Sequence, residues 1–89
     1  MKKIKIIAHI KENYPEAQIL LADGFENAFL GIGQQFNTFF SVYDKNKCIK
    51  ILTKNMSYEE AIEYFEYNVL GAYVGENTPI FIDNFDSYW

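Results

Sequence analysis

Apolar side chains recur at helical spacing most clearly just after Ser57. Ala61, Ile62, Phe65 and Val69, with Tyr58 at the near end, fall on one stripe, while Glu59, Glu63, Glu66 and Tyr67 fall on the other side. Ser57 followed by Glu60 has the form of a capping box, in which the hydroxyl accepts from a first-turn amide and the carboxylate reaches back. The pattern predicts a helix over about 58–70, with Gly71 as its left-handed stop, although Ala72, Tyr73 and Val74 could carry it on to Gly75. Before it, Asp44 suits the cap of a helix over about 45–54, with Cys48, Ile51 and Leu52 inward and Lys47, Lys50 and Lys54 outward. Asn55 and Met56 separate the two helices.

Elsewhere the pattern is shorter in period. Residues 18–22 (QILLA) and 39–43 (FFSVY) read as strands, and a turn over 75–79 delivers the chain into a last short strand, 79–82. Phe25, Ala28, Phe29, Ile32 and Phe36 also match a helical face. Gly31 and Gly33 would each cost such a helix about 0.8–1 kcal/mol, so FLGIG is read as a strand pairing antiparallel with QILLA. Residues 3–14 fit both patterns: Ile4, Ile6, Ala8 and Ile10 alternate, whereas Ile4, Ile7, Ala8 and Lys11 share a helical face. The run-out before Pro15 favours a helix. The expected architecture is α+β, one domain over 1–89. A small antiparallel sheet carries the two consecutive helices on one face, with an N-terminal helix and the final strand completing it.

Composition changes this picture in three ways. A chain of 89 residues buries only roughly 60–65% of its extended surface, so the core has little redundancy and a homo-oligomer is a natural way to add to it. Eight Phe, seven Tyr and one Trp are more aromatics than so small a core needs, which places some tyrosines at the surface or in a contact. Finally, a net charge of −4, with eight lysines and no arginine, argues against binding to nucleic-acid backbones, whose affinity comes from counterion release by basic side chains. Twelve acids against eight bases is also thin support for mimicry of a nucleic acid. No apolar run is long enough to span a membrane, and MKKIKII lacks a signal-peptide core and cleavage site. These features, with the lone Cys48, lead to the expectation of a cytoplasmic protein.

Candidate chemistry is sparse. One histidine, His9, and one thiol, Cys48, cannot build a zinc site, and Cys48 on an inward helix face reads as packing rather than as half of a nucleophilic pair. Gly31-Ile32-Gly33 resembles half of a phosphate loop but opens no helix and has no neighbouring Lys. Asp23, Glu26, Asp44 and Glu76 could converge at one end of the sheet as a hard-cation or acid–base site, though turn and cap duty accounts for Asp23 and Asp44 equally well. The tail from Asp83 to Trp89 alternates acidic and aromatic residues and could be presented to a partner. No catalytic residue, metal ligand or cofactor is assigned. The candidate contact surface is the outward face of the 58–70 helix, Glu59, Glu63, Glu66 and Tyr67, with Tyr73, Glu76 and Asn77 of the following loop.

Ala22-Asp23-Gly24-Phe25, Val42-Tyr43-Asp44, Met56-Ser57 with Glu60-Ala61, Asn68 with Gly71 to Glu76, and Thr78-Pro79 together resemble an uncharacterised family of small bacteriophage-encoded proteins, over roughly residues 20–82. The resemblance implies a viral accessory origin and a protein that binds a host or defence factor. It transfers no catalytic residue. Two other roles stay open: a small carboxylate-based enzyme or ligand binder, and a minor structural or assembly component of a phage particle.

Overall fold

A computed structural model describes residues 2–85. The elements run in the order α1 (Lys2–Asn13), a 3-10 turn (Glu26–Ala28), β1 (Phe29–Gln35), β2 (Thr38–Asp44), α2 (Lys45–Leu52), α3 (Tyr58–Tyr64), a π-helical segment (Phe65–Leu70) and β3 (Ile80–Ile82). The class is α+β. Both helix starts follow the side-chain chemistry of the caps. Asp44 accepts from the Lys47 amide at 3.1 Å, and Ser57 and Glu60 form the reciprocal capping box. The Ser57 amide holds the Glu60 carboxyl below its ordinary range. That stabilisation is therefore present at neutral pH and is lost as pH falls through the lowered value.

The sheet departs from the expected one in two respects. Its order is β1-β2-β3, with β1 and β2 an antiparallel hairpin, but β3 runs parallel to β2. The chain between β2 and β3 is the pair of helices, and a helical crossover returns a strand in the same direction. Residues 18–22 are not a strand and do not pair with β1. The segment lies over the helix-side face of the sheet, where β2 side chains satisfy its backbone: Ser41 Oγ donates to the Leu20 carbonyl at 2.6 Å, and the Ala22 amide donates to the Tyr43 hydroxyl at 2.8 Å. Those two bonds replace a strand ladder and also satisfy buried hydroxyls.

Register puts Phe29, Tyr43 and Phe81 side by side across the three strands. Tyr43 packs edge-on to Phe29 and stacked on Phe81, and Phe65 meets Phe81 edge-on at 5.2 Å. These rings join Phe25, Ala28, Cys48, Ile49 and Ala61 in one core, so α2 and α3 do cover one face as expected. Tyr58 does not join the stripe: as the first residue of α3 it is 63% exposed, one turn short of the sheet. Gly71 ends the helix, though with right-handed φ of −77° rather than left-handed. Its amide donates to Glu66 five residues back, so the widened π turn closes the segment instead. The left-handed glycine comes later, at Gly75. At the N-terminus α1 docks through buried Ile6, a Lys3–Asp23 ion pair at 2.7 Å and the contact of Tyr14 with Phe39.

Candidate functional site

Between the sheet face and the helix ends lies an open cleft of about 460 Å³. Leu20, Leu21 and Ala22 form one wall, Ile51 and Leu52 at the end of α2 another, and Val69, Ala72, Val74 and Phe81 much of the rest. Each wall has a local cause. Residues 20–22 are held there by Ser41 and Tyr43, and the π winding leaves Val69 half-buried while Tyr67, Asn68 and Leu70 stay exposed. A threonine fastens the loop over 72–79: Thr78 Oγ1 donates to the Gly75 carbonyl at 2.6 Å and accepts from the Val74 amide at 3.0 Å. Polar groups are few in this lining, chiefly Tyr64, Asn68, Thr78 and Asp23.

Beside the cleft, Tyr64 (44% exposed) and Val74 (58%) belong to its lining, and Tyr67 (77%), Leu70 (43%) and Tyr73 (77%) are their exposed neighbours in the chain, from the end of α3 through the π segment into the loop. Single exposed apolar residues need no explanation; a contiguous apolar patch is the kind of surface on which contacts form.

The residues expected from sequence divide into three groups. Glu59, Glu63 and Tyr67 are exposed on the outward side of the helix, as expected, and Tyr73 is exposed in the loop. Glu66 is also outward but pairs with Lys45 at 3.4 Å, which offsets part of its charge. Glu76 and Asn77 belong elsewhere: they line a second hollow with Tyr14 to Gln18 and Asn37 to Phe39, and Asn77 donates its amide to the Phe39 carbonyl at 3.1 Å. Asn77 is therefore a brace between loop and sheet. Sequence reasoning missed the cleft walls, Leu20 and Leu21 above all; a non-alternating apolar pair with no charge beside it was their only signal.

The four carboxylates considered as an acid–base or cation site do not converge. Asp23 pairs with Lys3, Glu26 accepts from the Gly24 amide, and Asp44 is buried, capping α2 and accepting from Asn84 at 3.4 Å. Glu76 lies in the loop. Among the described residues no three acids, histidines or cysteines lie close enough to hold a metal ion. Cys48 is fully buried and its thiol is pushed up to about 12, by burial first and by Asp44 second, while His9 sits exposed on α1 beside Asn13. A thiol so protonated is a packing group, not a nucleophile. The glycines of FLGIG are sheet residues, with Val42 packed against Gly33, as the strand reading expected. Of the acidic-aromatic tail, Asp86, Ser87, Tyr88 and Trp89 lie outside the described residues. Among the described residues no helix is long and apolar enough to cross a membrane.

No family model matches the chain, and neither a curated protein nor a solved structure does.

Proposed function

We propose that this protein is a non-enzymatic binding module, a phage accessory protein that acts on a host or defence protein. Its contact surface is the cleft rim formed by Tyr64, Tyr67, Asn68, Tyr73 and Val74 and flanked by Glu59 and Glu63. The observation that carries the reading is the run of exposed aromatic and aliphatic side chains from Tyr64 to Val74, interleaved in the chain with residues that line an apolar cleft. Rigid rings with polar tips give contact area at low entropic cost, and an apolar hollow beside them accepts an anchoring side chain. The neighbouring carboxylates would steer a basic patch on the partner toward the rim. Dispersal of Asp23, Glu26, Asp44 and Glu76 removes the main support for carboxylate-based catalysis.

The test is capture of the partner from the native host by the tagged protein. Tyr67→Ala and Glu63→Lys should abolish capture while shifting the thermal midpoint by no more than a few degrees, since exposed substitutions usually change stability by less than about 0.5 kcal/mol. Capture untouched by both changes, in folded protein, contradicts the assignment.

A further inference from the structure

Among the described residues β1 is an edge strand, with β2 on one side and no strand on the other. In a hairpin closed by a two-residue turn the Gln35/Thr38 pair exchanges hydrogen bonds, as does Gly33/Phe40, so Ile32 and Gln34 point their N–H and C=O groups away from β2. The same alternation sends the Phe39 carbonyl outward on the far side of β2, where Asn77 meets it. Among the described residues no backbone hydrogen bond reaches Ile32 or Gln34 from the free side.

Free edges are normally blunted by charge or proline. Here there is neither: residues 27–43 contain no Lys, Asp, Glu, His or Pro, in a chain of net charge −4. At the hairpin tip Phe36 holds a left-handed backbone, φ 55°, and is 88% exposed, and Leu30, the extra residue of the bulge in β1, is 42% exposed. A bulky side chain in that conformation is strained, and such strain clusters where a contact uses it.

We propose that β1 pairs antiparallel with β1 of a second copy, about a two-fold axis through Gly33, doubling the three-stranded sheet. In this register Ile32 lies opposite Gln34 of the second copy and exchanges both backbone bonds with it, and the reverse pair does the same. Gly33 faces its own copy at the closely spaced position, where a Cα separation of about 4.5 Å suits a residue with no side chain. Three residues out on either side, Leu30 meets Phe36 of the second copy, so the two exposed apolar groups of the edge cover each other. The occupant is a second copy because the edge is neutral and complements itself, and the two-fold contact closes without propagating. The acidic face of α3, with Glu59 and Glu63, would instead repel its own image.

Sedimentation equilibrium of the whole chain should give twice the 10.4 kDa protomer mass. Gln34→Pro removes one outward donor, and Phe36→Asp places a carboxylate at the contact in a residue that tolerates left-handed φ. Both should sediment at the protomer mass with an unchanged circular dichroism spectrum. In the unmodified protein, hydrogen exchange at the Ile32 and Gln34 amides should slow as concentration rises, a readout that does not depend on either variant folding. A protomer mass at the highest soluble concentration, exchange at those two amides independent of concentration, or a dimer that survives both substitutions in folded protein would overturn the proposal.

Discussion

Phe65→Ala is expected to lower stability by about 3–5 kcal/mol, the range for removing a large aromatic side chain from a packed core. Phe65 is fully buried and packs edge-on against Phe81, so it links the helical run begun by α3 to the last strand. It also stands at the junction where α winding gives way to π winding, with Ala61 one turn earlier as the other buried residue of that face. The hole left behind would border Phe81, fixed on another element, which limits collapse. A domain of this size commands about 5–15 kcal/mol in all, so the variant should be partly unfolded at ambient temperature or unfold at much lower urea. Glu66→Ala, the next residue along but outward, loses only a part-exposed pair with Lys45, worth about 1 kcal/mol or less. Equal urea midpoints for the two variants would show that the helix face is wrong.

Tyr43→Ala is expected to cost about as much, and for a reason that can be divided. Tyr43 is 1% exposed near the C-terminal end of the middle strand, between Phe29 and Phe81. Its hydroxyl accepts the Ala22 amide, the bond that lays residues 20–22 over the sheet and so builds one wall of the cleft. Tyr43→Phe keeps the ring and deletes only that acceptor. The orphaned amide should cost about 1–3 kcal/mol, well under the Ala variant. The Phe variant should also show faster hydrogen exchange at Ala22. If Phe and Ala variants lose the same stability, the ring contributes nothing beyond the hydrogen bond, and the stacked core described above is incorrect.

The contrast between these two residues shows what the sequence made legible. Phe65 sits in a stripe with a period of its own, behind a cap whose chemistry is local, so both the helix and its buried face follow from neighbouring residues. The Asp44 cap and the FLGIG and FFSVY strands were legible for the same reason. Residues 18–22 were not, because an apolar run can be satisfied by a ladder or by side chains from another strand, and the deciding partners, Ser41 and Tyr43, lie about twenty residues away. The direction of β3 depends on the crossover as a whole rather than on Ile80 to Ile82. For the site, exposure of Glu59, Glu63, Tyr67 and Tyr73 was legible from helix phase and loop position. The cleft was not, since three separated segments make it, and Asn77 looked like a contact residue only because its acceptor, the Phe39 carbonyl, is distant in the chain.

A photo-crosslinking benzoylphenylalanine at position 67, at 73 or, as a control on α1, at Lys11 tests the binding surface most directly. Side chains at the rim of a partner site lie within reach of the bound protein, whereas Lys11 is exposed on a helix that contributes nothing to the cleft lining. After irradiation in host cells, positions 67 and 73 should give the same discrete adduct and position 11 none. An adduct formed as readily from position 11, or its absence from both 67 and 73 in folded protein, would contradict the cleft rim as the site of partner binding.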